Sequence, residues 1–316
     1  MSDEEIKIQI YPPREIFLGI DKMKQRIFDA TDNNTARDII EDKKSMTITR
    51  LDVWFTEEFK AEKNLTPLDE LVFDCCMTEQ AKGNEFTTPA IIHRLMGGSK
   101  KNFSFNEKDK ILSSVRKLAT TFIDFDMTDI CKKFGYNDGK GYKYSGYLLP
   151  CEYITATVNG QTESATIHFL RNTPLFDVAK MKNQFIICDS KLLEVPNSKS
   201  KENVMSLKSC LWRRILQIVG SHKPHKKHFC GRIKGGGINH RTAKKLSTTI
   251  LLDTVFEQCG LSDATNNRKA EYRNTISKIM EHFKEEGLIS EWHFEKENGK
   301  FHSVKFEPLK SNLQKM

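Results

Sequence analysis

The residues best suited to chemistry lie crowded in one stretch of the sequence, SHKPHKKHFCGRIKGGGINHRTAKK, at 221–245. The nitrogen and sulfur donors that could bind zinc there are His222, His225, His228, Cys230 and His240. Structural zinc sites usually hold two close pairs of Cys or His separated by a loop, with Cys dominant. Here the nearest donors are crowded, and Lys226 and Lys227 would lie beside the cation. We therefore predict no metal at this stretch, and a zinc site is left open as the alternative.

The same stretch is well suited to binding a phosphate backbone. It contains no Asp or Glu, and its cations are Lys223, Lys226, Lys227, Arg232, Lys234, Arg241, Lys244 and Lys245. The glycines at 235–237 would let the backbone lie close to a phosphate group. Contacts of this kind add affinity and salt dependence but carry no sequence information. We predict a DNA-contacting loop, with a solvated basic loop as the alternative.

The positive charge of the chain is concentrated around this stretch. Residues 203–252 contain eleven Lys or Arg, including Lys208, Arg213 and Arg214, and no acidic residue. Because the formal net charge of the whole chain is +8, the remaining residues are slightly acidic. A concentrated basic block attracts polyanions, so the charge pattern indicates a nucleic-acid partner.

Composition excludes several classes of protein. Of the 316 residues, 38% are hydrophobic and 29% are charged, which is typical of globular domains rather than disordered chains. No apolar run approaches the length of a transmembrane helix, and no signal peptide is visible. The eight Cys are scattered without a CxxC pair, which indicates reduced thiols. We expect a cytoplasmic protein with no membrane partner and no cofactor.

Three helices and a hairpin follow one another in the first half of the chain. Helix starts are predicted at Thr66-Pro67, at Thr88-Pro89 and, as a capping box, at Ser104 to Glu107. The strand-like runs FIDFDM, GYLLPCEYITATV and SATIHFL come next, and Asn159-Gly160 is typical of a tight hairpin turn. This order predicts a winged-helix domain, in which the third helix is the recognition helix and the hairpin is the wing.

The second half repeats this order. VMSLKSCLWRRILQIV predicts a helix and TTILLD a short strand, after which Asp253 is expected to cap the helix TVFEQC. Asp263 or Thr265 is expected to cap a long helix that ends near Glu285. Asn298-Gly299 then predicts a second hairpin turn. The two halves carry the same order without residue-by-residue identity.

The predicted fold class is therefore α+β, with two consecutive winged-helix domains at 61–196 and 197–316. The second domain carries a basic insertion at 221–247. Residues 1–60 are expected to form a partly ordered N-terminal extension, in which IKIQIYPP and MTITRLDVWF alternate like short strands.

A family resemblance runs from about residue 65 to about residue 307. It is carried by LTPLDELVFDCCMTEQAKGNEFTTPAIIHRLMGG, ILSSVRKLATTFIDFDMTDI, YLLPCEYITATVNGQ, LLEVPN and LWRRILQI. These segments resemble replication-initiator-like proteins of bacterial mobile elements and, more broadly, the tandem winged-helix plasmid initiators that bind repeated origin sequences. The resemblance implies an origin-binding protein without its own chemistry, in which each domain contacts one half of a DNA repeat. It also implies a homodimer that converts to a monomer, and host replication proteins as partners. The long basic insertion departs from the compact members of the family.

Two helices carry side chains that could contact bases or phosphates in duplex DNA. The long helix of the second half offers Asn267, Arg268, Arg273, Asn274 and Lys278, and its hairpin offers Lys300. The third helix of the first half offers Lys108, Ser113, Arg116 and Lys117. Arg can bridge guanine and Asn can bridge adenine in the major groove. The alternative is an ordinary solvated helix face.

The sequence lacks the motifs of two classes of enzyme that act on DNA. A rolling-circle nickase needs a His-hydrophobe-His triplet, and a P-loop ATPase needs GxxxxGK[ST]; neither occurs. Asp124 and Asp126 share one face of a predicted strand, where a solvated surface is favoured over a metal site. We therefore expect no enzymatic activity and no metal site.

Two alternatives to a replication initiator are left open by the sequence. A transcriptional regulator of the same fold would bind one palindrome as a stable dimer. A phage or plasmid protein-interaction module that inhibits a host protein would use the basic block to bind an acidic partner.

Overall fold

The computed structural model describes residues 15–19, 24, 27–28, 35–42, 47–54, 65–98, 103–133, 140–182, 185–195, 202–221 and 246–309. Helices and sheets alternate throughout these ranges, so the predicted α+β class is confirmed. Residues 65–195 are called the first half below, and residues 202–309 the second half. The predicted basic insertion falls almost wholly outside the described residues, as does IKIQIYPP.

The elements up to the end of the first half are β1 (Glu15–Gly19), β2 (Thr35–Asp42), β3 (Thr47–Trp54), α1 (Pro67–Ala81), β4 (Phe86–Thr87), α2 (Pro89–Leu95), α3 (Phe105–Thr120), β5 (Phe122–Asp126), α4 (Thr128–Lys133), β6 (Lys143–Tyr147), β7 (Cys151–Val158), β8 (Gln161–Phe169), α5 (Pro174–Met181), β9 (Phe185–Asp189) and a 3-10 turn (Ser190–Leu193). The elements of the second half are α6 (Glu202–Ser221), β10 (Thr249–Leu251), α7 (Leu252–Gln258), α8 (Asn266–Glu285), β11 (Ile289–Glu297) and β12 (Lys300–Pro308).

The helix starts of the first half are confirmed, together with their capping chemistry. The Thr66 hydroxyl accepts a hydrogen bond from the Asp69 amide at 3.2 Å, and the Asp69 carboxylate accepts one from the Thr66 amide at 2.7 Å. Ser104 and Glu107 form the same reciprocal pair at the start of α3. Such boxes satisfy amide groups that a helix start leaves without partners.

One predicted cap in the second half is wrong. Asp253 does not cap α7, because the helix begins one residue earlier, at Leu252, and its N-cap Leu251 makes no side-chain capping bond. Strand β10 runs directly into the helix, and Leu252 is buried at the junction. Asp253 lies instead in the first turn, where the helix dipole favours a carboxylate. At α8 the cap is Thr265, one of the two predicted residues.

The two halves build the same small sheet from the same order of elements. In the first half β4 lies between α1 and α2, and the sheet order is β4-β8-β7. In the second half β10 lies between α6 and α7, and the sheet order is β10-β12-β11. Each sheet thus joins the short strand to the second strand of the hairpin that follows the third helix. In the first half, β5, α4 and β6 are inserted between that helix and the hairpin.

Both predicted hairpin turns are confirmed by their backbone angles. Asn159 and Gly160 have φ of 52° and 76°, and Asn298 and Gly299 have φ of 49° and 77°. Two consecutive positive φ angles are required by the tightest hairpin turns, and Asn-Gly tolerates them best.

The described strands of residues 1–60 belong to the sheets of the first half. β3, which the alternation of MTITRLDVWF predicts, pairs with β5 in a four-stranded sheet of order β2-β3-β5-β6. β1 pairs with β9. Ile16 and Val53 are fully buried in the core. These strands are therefore integrated into the sheets and core of the first half. The sequence alone suggests a partly ordered extension for residues 1–60.

A cluster of buried and partly buried charges joins the halves across α1 and α6. Asp74 is fully buried on α1 and pairs with the ammonium of Lys24. Arg213 of α6 donates a hydrogen bond to the Asp74 carboxylate at 2.9 Å and pairs with Glu70, one turn before it. We call these four residues the junction cluster. Burying charges costs free energy unless each is paired, so this cluster is stable only when both helices are in place.

Two further side chains of the second half form hydrogen bonds across the same boundary. Lys208 of α6 is buried, and its ammonium donates to the carbonyl oxygens of Met96 and Leu193 at 3.0 and 2.7 Å. His282 of α8 forms a 2.8 Å hydrogen bond with the carbonyl oxygen of Lys191. Burial lowers the pKa of Lys208 to about 8. Lys208 and Arg213 belong to the basic block of the sequence. Lys208 donates to interior carbonyls and Arg213 pairs with carboxylates of α1, so neither is simply a surface cation.

Replacing Asp74 by Ala should destabilise the protein strongly. The substitution removes the fully buried carboxylate that pairs with Lys24 and Arg213, and breaking a buried pair costs about 3–5 kcal/mol. Urea unfolding followed by circular dichroism measures this loss. The control is Glu152→Ala, at an exposed position, which should change the free energy of unfolding by no more than about 0.5 kcal/mol. Equal effects of the two variants would contradict the importance of the junction cluster.

Stability should also depend on pH through Asp74. Burial raises the pKa of Asp74 from 3.8 to about 6, although the Lys24 ammonium acts to lower it. Between these values the unfolded chain has lost a proton that the folded chain keeps, so raising the pH lowers the free energy of unfolding. Relative to Asp74→Asn, wild type should lose stability from pH 3.8 to about pH 6 and stay level above. A free energy of unfolding of wild type that rises with pH relative to that of Asp74→Asn would contradict this assignment.

Candidate nucleic-acid interface

Helix α3 buries one face and exposes the other. Ile111, Val115 and Leu118 are buried, and α3 packs against α1 and α2. Ser113 and Arg116 lie on the opposite face and are exposed, as predicted for a contact surface. Lys117 and Lys108 are partly buried, and the Lys108 ammonium lies 4.9 Å from the centre of the Phe105 ring and 5.9 Å from that of Phe103.

Helix α8 has the same division. Its inner face is formed by Ile276, Ile279, Met280 and Phe283, which are all buried. On its outer face, four of the five predicted contact residues are exposed: Asn267, Arg268, Asn274 and Lys278. The fifth, Arg273, is partly buried. The structure thus brings together one guanidinium and two amides on an exposed helical surface, the groups that can hydrogen-bond to base edges.

The hairpin of the second half lies beside α8 and contributes aromatic rings. The Arg273 guanidinium is 5.1 Å from the centre of the Phe301 ring, and the Lys296 ammonium is 4.7 Å from it. Phe301 packs edge-on against Phe294, with ring centres 5.5 Å apart. Lys300, the predicted hairpin contact, is exposed and lies opposite Glu297 in the strand register. Arg273 of α8 and Lys296 of the hairpin therefore contact the same ring.

The hairpin of the first half has a different character. No Lys or Arg occurs in residues 144–170. Ile154 and Val158 on β7 have relative exposures of 78% and 51%. One contact between this hairpin and α3 is a 3.1 Å hydrogen bond from the Arg116 guanidinium to the Tyr153 hydroxyl. This hairpin lacks the cations that bind phosphate and offers apolar side chains instead.

The candidate metal ligands have other partners. Asp124 pairs with Lys143 at 2.9 Å and accepts a hydrogen bond from Ser145, and Asp126 caps the amide of Thr128. Across the described residues, no three His, Cys, Asp or Glu side chains lie close enough together to hold a metal ion. The zinc alternative at 222–245 falls outside the described residues and stays untested.

The predicted loop cations also fall outside the described residues. They are Lys223, Lys226, Lys227, Arg232, Lys234, Arg241, Lys244 and Lys245. Their contact with phosphate stays a prediction from the sequence.

Two residues at the interface are missing from the sequence-based prediction, namely Tyr153 and Phe301. Both lie on hairpin strands that alternate inward and outward positions, and each touches an arginine of the preceding third helix. An aromatic residue on a hairpin is a weak signal by itself, because hairpin strands favour aromatic residues for packing alone.

Comparison with known proteins gives only distant likeness. No protein-family model and no curated protein matches this sequence. Two similar solved structures both contain domains 2 and 3 of RctB. One shares 14% identity at a TM-score of 0.41, covering 92% of this chain and 96% of that one. The other shares 11% identity at 0.43, covering 92% and 97%. At these values the likeness is too distant to support an assignment of function.

A membrane-spanning helix is not found in the part of the chain that the structure describes.

Proposed function

We propose that this chain is a sequence-specific duplex-DNA-binding protein built from two winged-helix domains, and that it has no catalytic activity. The observation that carries the proposal is the repeated arrangement of three helices, a short strand and a hairpin, with the same sheet order in both halves. In such a domain the third helix enters the major groove and the hairpin lies along the adjacent backbone. In this chain α3 and α8 occupy that position.

The second half is the main reader of base sequence in this proposal. Arg268 and Asn274 are exposed on α8, and they can bridge guanine and adenine respectively. Lys278 and Lys300 would contact phosphates, together with the basic insertion. Ser113, Arg116 and Lys117 on α3, with Lys108, would make the corresponding contacts of the first half.

The biological role we propose is initiation of replication at the origin repeats of a plasmid or similar mobile element. The resemblance of residues 65–307 to iteron-binding initiators supports this role. Binding would distort the origin DNA and recruit host replication proteins, with a homodimer as a further state of the chain. The junction cluster supports simultaneous binding by both halves, since it fixes α1 against α6. A transcriptional regulator of the same fold would use the same surfaces on a palindrome.

A protein-interaction module is the second candidate function. The first hairpin favours it, because that hairpin exposes Ile154 and Val158 and has no Lys or Arg. Exposed apolar side chains that are grouped in this way are typical of protein contacts. Under this alternative, duplex binding would be insensitive to substitutions on α8.

Arg268→Ala should weaken binding to the DNA upstream of the protein's own gene. Loss of a bidentate contact to guanine costs about 1–3 kcal/mol and relaxes preference at one position. The measurement is a fluorescence-anisotropy titration of the upstream duplex and of a scrambled duplex. Arg268→Lys is the matched control: it keeps the charge but not the planar fork, so it should recover non-specific binding and not the preference. Unchanged preference in Arg268→Ala would favour the protein-interaction alternative.

Changing Lys223, Lys226, Lys227, Lys244 and Lys245 to Ala should weaken binding to both duplexes alike. Each lysine that neutralises a phosphate contributes about 0.9 to the slope of log affinity against log salt. The variant should therefore show a shallower slope in the same titrations repeated over a salt series. An unchanged slope with unchanged affinity would mean that the stretch at 221–245 does not contact DNA.

A further inference from the structure

In each half, the third helix presents an arginine that is held by an aromatic ring of the following hairpin. In the first half, the Arg116 Nε group donates a hydrogen bond to the Tyr153 hydroxyl at 3.1 Å. The guanidinium carbon also lies 6.0 Å from the centre of the Tyr153 ring. Arg116 is exposed and Tyr153 is partly buried, so the ring belongs to the framework and the arginine to the surface.

In the second half, the Arg273 guanidinium lies against the ring of Phe301, and here the arginine is partly buried and the ring is exposed. The guanidinium lies 5.1 Å from the ring centre, within the range of a cation–π contact. Phe301 is in turn held by the edge-on contact with Phe294, and Trp292 lies next in the row at 5.5 Å from Phe294. The Trp292 indole donates to the Glu281 carboxylate of α8 at 3.0 Å. This row of rings fixes the hairpin against α8.

The two pairs are not copies in sequence. Tyr153 lies on β7, the first strand of its hairpin, whereas Phe301 lies on β12, the second strand of its own. One pair uses a hydroxyl and the other only a ring face. The shared feature is physical: a third-helix guanidinium is restrained by an aromatic group of the hairpin.

Such restraint matters because a free arginine side chain has many rotamers. Ordering it on binding costs entropy, and a side chain that is already ordered loses less. To bridge the two acceptors of guanine, a guanidinium must lie in the plane of the base. Its orientation therefore decides whether it can discriminate between bases. An aromatic residue in contact with the guanidinium restrains that orientation before DNA binds.

We propose that Tyr153 and Phe301 are positioning residues that set the direction of Arg116 and Arg273 for base recognition. The hairpins then influence sequence preference through the helices, in addition to any phosphate contacts of their own. This inference rests on the proposed DNA-binding function and identifies two residues that determine its specificity.

The test is selection from a double-stranded DNA pool with a randomised core, followed by sequencing. Wild type is compared with Phe301→Ala, Phe301→Leu and Phe301→Tyr, and with Tyr153→Ala and Tyr153→Phe. Leu keeps apolar bulk without a ring, so it separates loss of the ring from loss of packing. Phe86→Ala is the matched control: Phe86 has a relative exposure of 55% and stacks on His168. Thermal unfolding establishes that each variant is folded.

Phe301→Ala and Phe301→Leu should bind the unselected pool within about twofold of wild type, because phosphate contacts dominate non-specific affinity. Their discrimination at one base position should fall about fivefold, the lower end of what one bidentate contact provides. Phe301→Tyr and Phe86→Ala should match wild type. Tyr153→Ala should lose discrimination at a different position, and Tyr153→Phe should lose discrimination there too, since the hydroxyl makes the hydrogen bond to Arg116.

A double variant shows whether Phe301 acts through Arg273. If it does, Arg273→Ala combined with Phe301→Ala should discriminate no worse than Arg273→Ala alone. Additive losses would overturn the positioning role and indicate a separate contact of the ring. Full discrimination in Phe301→Leu, with wild type selecting a clear motif, would overturn the inference and leave the proposed function intact. Failure of wild type itself to select any motif would overturn both.

Discussion

The buried charges between α1 and α6 are the constraint on which the arrangement of this molecule depends. Asp74 is fully buried and Lys24 nearly so, and Arg213 from the second half completes their pairing. None of these charges could remain in the interior without the others, because an unpaired buried ion costs several kcal/mol. The same helix α6 inserts Lys208 beneath the carbonyl ends of α2 and of the 3-10 turn. Gly97 ends α2 there, and a methyl group in its place would clash with the Leu193 carbonyl.

This junction gives the repeated architecture its functional meaning. Each half has a third helix with an apolar inner face and a polar outer face, followed by a hairpin that pairs back to a short strand. Two such units on a flexible linker would search DNA independently. Joined through the junction cluster, they hold two helices at a separation set by the protein, so under the proposed function the spacing of contacted bases would be part of the recognition. The hairpins differ: the second carries Lys296, Lys300 and Lys305 beside its aromatic rings, whereas the first lacks Lys and Arg and exposes Ile154 and Val158. Under the proposed function, this difference favours the second half as the main reader of base sequence.

Local sequence signals made the helix starts and hairpin turns predictable, whereas pairing between distant segments could not be predicted from the sequence. Thr66-Pro67, Ser104 with Glu107, and Asn298-Gly299 each act within a few residues, so their helix starts and turns follow from the sequence. The pairing of β3 with β5 spans distant segments, and no local pattern reveals that the described strands of residues 1–60 complete the first half. Lys208 and Arg213 look like surface cations because their partners Met96, Leu193 and Asp74 are close only in the folded chain. Among the candidate contacts, helical spacing identifies the outer face of α8, but the ring that holds Arg273 depends on how the hairpin folds back.

The central claim is that one chain binds a defined DNA sequence through two rigidly joined helices. Hydroxyl-radical footprinting of the DNA upstream of the protein's own gene tests it most directly, because protection reports position at the level of single nucleotides. The account predicts pairs of protected segments with one constant spacing, recurring wherever the chain binds, and loss of the constant spacing in Asp74→Ala. Uniform protection along the duplex, or segments whose spacing varies from site to site in wild type, would contradict it.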